Sequence, residues 1–311
     1  MIPVDSAYYL GQQPYGFKAS GTLPNMPDAV HALHTLEENV TSDVTRALAE
    51  DVGAGDLTAS LVPASRKAKA RLLTRQDAIL CGTEWFNRTF EELDPDVEVF
   101  WHFQDGAELD ANTSLCELDG NARPMLTAER TALNFVQLLS GVATRTRLFV
   151  DAVEGTNARI YDTRKTLPGL RIAQKYAVRV GGGMNHRIGL YDGILIKENH
   201  IVAAGGIRKA LDKAFRIAPP GTLVEVEVEN LQQLQEAMDA GAKVILLDNF
   251  NLKAMRSAVK AAHGHAELEA SGGVNLDTVR AIAETGVHRI SVGSLTKDVI
   301  ALDLSMRFLH R

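Results

Sequence analysis

The sequence predicts an α/β protein in which an α+β domain precedes a parallel (β/α) barrel. Before residue 127, short strands separated by turn residues predominate. After a long helix, six strand–helix steps with short loops follow, which is typical of a parallel sheet. Polar residues end nearly every strand, and no strand leads into a glycine-rich dinucleotide or P-loop turn. A doubly wound sheet would concentrate such residues at one switch point, so we favour the barrel.

The first part of the chain has two predicted regions. Residues 1–27 are rich in Gly, Pro, Tyr and Gln without periodicity and are interpreted as an N-terminal arm. The domain at 28–126 begins with a helix over 28–48 and has an amphipathic C-terminal tail, 300–311, expected to pack on it. Its other predicted elements are a helix at 84–93 and strands at 66–74, 78–81, 97–103, 114–118 and 123–126.

The predicted barrel domain covers 127–299 and opens with a helix that runs from Thr127 to about residue 154. Thr127 is a suitable residue type for the N-cap of that helix. Strands are predicted at 159–161, 193–196, 223–228, 244–247, 266–269 and 289–292. Helices are predicted at 171–180, 207–217, 231–240, 252–262 and 276–284.

Charge is distributed unevenly along the 311 residues. The chain has a net charge of -6, yet residues 130–197 contain eleven Lys/Arg and four Asp/Glu. A local cationic focus in an acidic protein suits a small anionic ligand, whereas a nucleic acid requires a broad basic surface. Five cations in this window are expected to face solvent; they are Arg145, Arg147, Arg159, Lys175 and Arg179.

Several classes of protein are excluded by composition. Cys81 and Cys116 form neither a disulfide framework nor a metal-ligand pair, and both are predicted to be buried thiols. No apolar run approaches the ~20 residues needed to cross a bilayer. A basic segment followed by an apolar one is absent at the N-terminus, so a cytoplasmic protein without a membrane partner is expected.

Cations follow two predicted strands and the glycine segment between them. Arg164 and Lys165 come after the first barrel strand, and Lys197 comes after the second. His186 and Arg187 follow a triple glycine between those strands. Because catalytic groups of barrels lie at the carboxyl ends of strands, these residues predict an anion site. A solvent-exposed loop histidine remains the alternative for His186.

Carboxylates follow a different pattern. Residues 224–229 alternate valine and glutamate, so that one face carries Glu225, Glu227 and Glu229. In a barrel these glutamates face inward and require cations or a metal ion. Asp248 ends the next strand and is either a helix N-cap or, with Glu227, a ligand of Mg²⁺.

Glycine-containing turns follow the last two strands. Residues 271–273 read Ser-Gly-Gly, and residues 292–294 read Val-Gly-Ser. Each turn is expected to open a helix, the first at Asn275. Backbone amides at such positions bind phosphate, and late barrel strands are its usual location. The predicted phosphate-binding residues are Ser271, Gly272, Gly273, Val292, Gly293 and Ser294.

From about residue 40 to 311 the sequence closely resembles the quinolinate phosphoribosyltransferases, also called nicotinate-nucleotide pyrophosphorylases (carboxylating). The motifs that match are long and specific. They lie at 129–134, 162–171, 181–190, 196–201, 224–230, 247–249, 271–273 and 290–296. The resemblance implies an N-terminal α+β sandwich domain and an atypical, incomplete (β/α) barrel. It also implies a homodimer with composite sites.

The reaction implied by the resemblance joins quinolinate to phosphoribosyl pyrophosphate with loss of CO2. The products are nicotinate mononucleotide and pyrophosphate, on the de novo route to NAD. The resemblance implies that Arg130 reaches the partner's site and that Lys165, Lys197, Glu227 and Asp248 act on the ribose, the pyrophosphate and Mg²⁺. The implied substrate-binding residues are Arg130, Thr163, Arg164, Lys165, His186, Arg187 and Lys197.

Three alternatives stay open from the sequence. A related phosphoribosyltransferase could use another pyridine or metal-linked substrate. A Schiff-base aldolase would use Lys165 or Lys197 as its nucleophile. A catalytically silent paralogue would be expected to lack Lys165, Glu227 or Asp248, but the sequence has all three.

Overall fold

The computed structural model describes residues 35–309. The arm at 1–27 and the first part of the helix predicted at 28–48 lie outside this range. The chain divides into two compact units, each assembled from separate stretches. We call them the antiparallel unit (36–148, 165–183 and 294–309) and the parallel unit (149–164 and 184–293).

The antiparallel unit is built on a four-stranded sheet of order β12-β1-β5-β3. Every pairing in it is antiparallel. The strands are β1 (Lys67–Thr74), β3 (Glu98–Trp101), β5 (Ser114–Asn121) and β12 (Leu304–Phe308). A small second sheet pairs β2 (Ala78–Ile79) with β4 (Glu108–Leu109). The tail, for which the sequence predicts packing on the first domain, supplies β12, which pairs with β1.

The helices α2 (Thr83–Leu93) and α3 (Ala122–Ala152) pack against this sheet, and α1 (Leu36–Val52) packs against α2. The inward residues of β1, β5 and α2 form the core, in which Leu72, Phe86 and Leu115 are each 0% exposed. Burial of these apolar side chains supplies the main stabilisation of the unit.

The start of α3 differs from the prediction. Residues 123–126 are helical, so the strand predicted there is wrong, and Thr127 is not an N-cap. Asn121 acts at this position, because its side chain accepts the Arg123 N–H at 3.1 Å. Pro124 is tolerated in the first turn, where its missing N–H costs nothing. Thr127 Oγ1 donates to the Arg123 carbonyl one turn back.

The next helix, α4 (Arg171–Val180), also belongs to the antiparallel unit, although the sequence places it in the barrel domain. The Tyr176 ring contacts the Trp85 ring in a tilted arrangement, with 5.5 Å between centroids, and its hydroxyl donates a hydrogen bond to Asp105 at 2.9 Å. Lys175 is 1% exposed, so its predicted solvent-facing position is wrong. These contacts explain why the compact units do not follow a boundary at residue 127.

The parallel unit contains a six-stranded sheet of order β6-β11-β10-β9-β8-β7. The last strand pairs with the first, and every other neighbour is consecutive in the chain, so the order is that of a barrel. In the described residues β6 and β7 do not pair, which leaves the barrel incomplete. The strands are β6 (Arg159–Tyr161), β7 (Gly193–Ile196), β8 (Leu223–Val228), β9 (Val244–Asp248), β10 (Glu267–Ser271) and β11 (Arg289–Ser291). The predicted fold class is confirmed.

Helices follow the strands along the chain. They are α5 (Glu198–Ala204), α6 (Ile207–Ile217), α7 (Leu231–Asp239), α8 (Leu252–Ala262) and α9 (Val279–Ala283), and α10 (Ser294–Lys297) follows in the antiparallel unit. The short helix α5 was not predicted. Within residues 35–309, none of the helices has both the length and the apolarity required to cross a membrane.

Candidate active site

The segment after the triple glycine joins the sheet at the free edge of β6. The Met184 N–H donates to the Ile160 carbonyl at 2.8 Å, and the Asp162 N–H donates to the Met184 carbonyl at 3.0 Å. This isolated parallel bridge carries residues 185–187 to the carboxyl end of β6. Two stretches that the sequence predicts as separate cation sources therefore lie side by side.

Asp162 holds this arrangement in place. Its carboxylate is buried and accepts the backbone N–H of His186 at 2.8 Å and the side-chain amide of Asn185 at 2.6 Å. Buried carboxylates require such donors, because an unpaired one is costly. In the sequence, Asp162 is recognisable only as the first residue of a motif, and this role was not predicted.

Arg164 and Arg187 are both half-buried beside this anchor. Burial and the nearby positive charge of Arg164 lower the pKa of Arg187. One Nη of Arg187 donates to the Gly193 carbonyl at 2.9 Å, which fixes the guanidinium. Two partly desolvated like charges repel each other, so an anionic ligand between or beside them would be stabilising.

His186 is not a solvated loop residue. Its side chain is 9% exposed, and Nε2 lies 2.7 Å from Glu225 Oε2 and 3.8 Å from Glu269 Oε1. Ser291 Oγ donates a hydrogen bond to Glu269 Oε1. Glu225 and Glu269 are each 0% exposed, so a buried acid pair faces the histidine.

The alternating glutamates of β8 have three different environments. Glu225 is buried, Glu227 is partly buried, and Glu229, beyond the end of the strand, is exposed. Glu227 forms an ion pair with Lys197, with 3.2 Å between Oε2 and Nζ. The inward orientation predicted for the strand therefore holds for Glu225, whose partner is a histidine.

Asp248 lies on the same sheet face as Glu227. Glu227 pairs in register with Leu246, and Asp248 stands two residues further along β9, where it pairs with Ser271. The following helix is capped by Asn251, so Asp248 is not the N-cap that the sequence left as an alternative. Two carboxylates thus stand near the carboxyl ends of adjacent strands.

The two glycine turns lie at one edge of the sheet. β10 and β11 are parallel neighbours, so residues 271–273 and 292–293 leave the sheet at the same end. The helix expected to open at Asn275 begins only at Val279 and has five residues, because Asn275 caps a separate turn through its side chain. The first turn is therefore followed by loop residues, whereas the second leads directly into α10 at Ser294.

Gly272 is required by the backbone itself. Its φ is +101°, and an added Cβ would collide with the Asn249 side chain. Gly293 has no positive φ. The backbone conformation therefore requires glycine at 272 but not at 293. Of the two, only Gly293 can be substituted without backbone strain.

Of the remaining predicted residues, Lys165, Arg130 and Ser294 belong to the antiparallel unit. Lys165 is exposed, and its carbonyl accepts the Thr296 hydroxyl at 2.8 Å. Arg130 is exposed on α3, and Ser294 is half-buried at the first position of α10. Thr163, in the parallel unit, is half-buried next to Arg164.

Two family models together match nearly all of the described chain. Residues 55–140 match the family model described as quinolinate phosphoribosyl transferase, N-terminal domain, and residues 142–307 match the one for the C-terminal domain. The chain belongs to the quinolinate phosphoribosyltransferase family. The resemblance predicted from the sequence motifs is thus confirmed.

Individual members of the family are similar over most of their length. The chain is 44% identical to the probable nicotinate-nucleotide pyrophosphorylase [carboxylating] of Bacillus subtilis, covering 83% of this chain and 89% of that protein. It is 43% identical to the Mycobacterium leprae enzyme, covering 85% and 95%. The solved Francisella tularensis structure superposes with a TM-score of 0.86 at 46% identity, covering 89% and 98%.

Glu269 was not predicted as a site residue of this phosphoribosyltransferase chain. A signal was present, because Glu267, Glu269 and Ser271 alternate along β10 as the glutamates do along β8. Glu267 pairs with Arg289 at 2.5 Å, whereas Glu269 faces His186. Alternation alone does not reveal which carboxylate meets which partner.

Proposed function

We propose that this protein transfers the phosphoribosyl group of phosphoribosyl pyrophosphate to quinolinate, with decarboxylation to nicotinate mononucleotide. The observation that carries the proposal is the Arg164–Arg187 pair at the end of β6, in a chain of this family. Quinolinate has two carboxylates, and arginine binds a carboxylate through two parallel hydrogen bonds. Thr163 and Lys197 are assigned to the same substrate from the resemblance.

The chemistry requires few reacting side chains. Departure of pyrophosphate builds positive charge on the ribose carbon, which the pyridine nitrogen attacks. Holding that nitrogen in line with the ribose carbon removes entropy from the barrier. Once ribosylated, the nitrogen is cationic and stabilises the electron pair left when the adjacent carboxylate departs as CO2. The arginines therefore act mainly by orientation and electrostatics.

We propose that the reaction uses Mg²⁺ held by Glu227 and Asp248. The donor set fits, because Mg²⁺ prefers carboxylate oxygens together with substrate phosphates. Lys197, paired with Glu227, adds a cation beside the same carboxylate. When bound, the ion would neutralise negative charge on the pyrophosphate group. Lys165 is assigned to phosphoribosyl pyrophosphate from the resemblance.

Glu227→Gln is expected to raise the Mg²⁺ concentration required for half-maximal turnover about ten-fold or more, since one anionic ligand is lost. The measurement is a magnesium titration at saturating substrates. Glu236→Gln, at an exposed position on α7, is the matched control and should leave the titration unchanged. An unchanged magnesium requirement in Glu227→Gln would refute the assignment.

We further propose that the loops 271–273 and 292–294 bind the 5′-phosphate of the ribose. Support comes from their common edge of the sheet and from the glycines in both loops, which have no side chain to keep a phosphate from the backbone. Gly293→Val is expected to weaken phosphoribosyl pyrophosphate binding about ten-fold, because a branched side chain keeps phosphate from the backbone. Gly272→Val is unsuitable as a test, because its strain and its collision with Asn249 would disturb the fold directly.

The Gly293→Val measurement is the dissociation constant of phosphoribosyl pyrophosphate, with thermal unfolding as the check on folding. Inorganic phosphate should compete with wild-type binding at this position. Normal binding by a folded Gly293→Val protein would contradict the phosphate assignment.

A homodimer, with Arg130 contacting substrate in the partner's site, is proposed from the resemblance and from the exposure of Arg130 on α3. A cytoplasmic location is proposed because Cys81 and Cys116 are buried free thiols, which suits a reducing compartment. No observation favours the aldolase, since Lys165 and Lys197 are exposed rather than set in an apolar pocket.

The experiment that tests the proposed function is release of CO2 from carboxyl-labelled quinolinate. Release should require both phosphoribosyl pyrophosphate and Mg²⁺, and nicotinate mononucleotide should form in equal amount. Nicotinate and nicotinamide, which lack the second carboxylate, are the control substrates. Absence of product from quinolinate under these conditions would overturn the proposal.

A further inference from the structure

The buried acid pair that faces His186 has unused hydrogen-bonding capacity. Glu225 and Glu269 are 0% exposed, yet Glu225 Oε1 and Glu269 Oε2 accept no hydrogen bond from the described residues. Leaving buried acceptors unsatisfied lowers stability, so a structure that retains them usually has a functional reason. The other oxygen of each carboxylate lies toward the His186 ring: Glu225 Oε2 is 2.7 Å and Glu269 Oε1 is 3.8 Å from Nε2.

Both ring nitrogens of His186 are engaged by protein groups. Nδ1 accepts the backbone N–H of Arg187 at 2.8 Å. A neutral imidazole with an accepting Nδ1 carries its proton on Nε2, so Nε2 donates to Glu225 at 2.7 Å. A continuous chain of contacts therefore runs from Glu225 through the ring to the main chain of Arg187.

We infer that Glu225 and Glu269 are positioning residues that hold the His186 ring, which in turn fixes Arg187 for binding a pyridine carboxylate. This inference rests on the proposed function. Asp162 fixes the same segment from the other side by accepting the His186 backbone N–H. The acid pair and Asp162 thereby hold both the ring and the main chain of residue 186.

The charges of the group are consistent with this role. Burial, together with the charge of Glu225, raises the pKa of Glu269 to about 7. Near neutral pH the buried pair therefore does not have to carry two full negative charges. The charges of Asp192 and Glu225 oppose the lowering of the Arg187 pKa by burial and by Arg164.

By residue type the three side chains could instead bind a divalent cation, since one ligand atom from each lies within 4.8 Å of the others. A metal ion would need Nε2 without its proton. The Nε2 proton already bridges His186 and Glu225, and Ser291 already occupies Glu269 Oε1. The contacts therefore favour a hydrogen-bond network among His186, Glu225 and Glu269 over a metal site.

The first experiment compares Glu225→Ala, Glu225→Gln and the control Glu229→Ala, whose side chain is exposed. Glu225→Ala removes the acceptor for the ring and should raise the KM for quinolinate about ten-fold, with the KM for phosphoribosyl pyrophosphate changed less than about two-fold. Glu225→Gln retains an acceptor oxygen and should rescue most of the loss. Glu229→Ala should match the wild type.

The second experiment is a double-mutant cycle with Arg187→Ala. If Glu225 acts through Arg187, the double variant should bind quinolinate no more weakly than Arg187→Ala alone. Glu269→Ala should show the same lack of additivity. Lack of additivity distinguishes a positioning role from a general loss of stability. A general loss would lower the affinity for both substrates, and its effect would add to that of Arg187→Ala.

Three outcomes overturn the inference: additive effects in the cycle, equal rises in both KM values, or a divalent metal bound one per chain and lost in Glu269→Ala. Should Glu225→Ala fail to fold, Glu269→Ala carries the same cycle, with Glu269→Gln as its conservative control. A wild-type protein that never converts quinolinate refutes the proposed function instead. An active wild type with an unaffected Glu225→Ala refutes only the positioning role.

Discussion

Arg187→Ala is expected to weaken quinolinate binding about 10- to 100-fold, because a hydrogen bond to a charged group contributes roughly 1.5–3 kcal/mol. Arg187 is half-buried, and its hydrogen bond to the Gly193 carbonyl fixes the guanidinium. After truncation to Ala, water would not reproduce the lost contacts with the carboxylate. Arg164→Ala is expected to have an effect of the same size. Binding of phosphoribosyl pyrophosphate should change much less in either variant.

The measurement is titration calorimetry of each substrate, supported by KM values. Arg216→Ala is the matched control, since Arg216 is exposed on α6 of the same unit. It should bind both substrates as the wild type does. Arg187→Lys should recover only part of the lost affinity, because lysine keeps the charge but not the two-pronged geometry. Equal losses for both substrates in Arg187→Ala would point to a fold defect and contradict the assignment.

Mixing two inactive variants, Arg130→Ala and Lys165→Ala, is expected to restore about a quarter of wild-type activity if the protein is a dimer with shared sites. Half of the dimers in an equal mixture are hybrids, and each hybrid has one site with both residues intact. Arg130 lies on the surface of α3 and Lys165 is exposed, so both are accessible to a partner.

The complementation is measured after subunit exchange, with differently tagged chains to verify that hybrids form. Each variant alone should remain inactive at every concentration. A mixture of Arg130→Ala with Arg130→Ala/Lys165→Ala is the control, because no hybrid of these chains contains a complete site. Hybrids that form but stay inactive would exclude a shared site with Arg130 in this role.

Much of the fold could be predicted from local patterns. The short apolar strands that become β7, β8 and β9 were located to within a residue, because strand periodicity and flanking turns are written into adjacent residues. The start of α3 could not be located in the same way. Residues 123–126 read as a strand by composition, but Asn121 capping and the helix that follows determine their conformation.

The sequence by itself determined the family, the barrel class and the cationic strand ends, because long motifs and period-two alternation are properties of neighbouring residues. Only the tertiary structure decided that α4 packs with Trp85 and Asp105, and that Glu225 and Glu269 meet on His186. Glu225 and Glu269 stand on strands separated by β9, and His186 arrives from a loop. Contacts of that kind depend on how a whole sheet is ordered and curved, which no local pattern encodes.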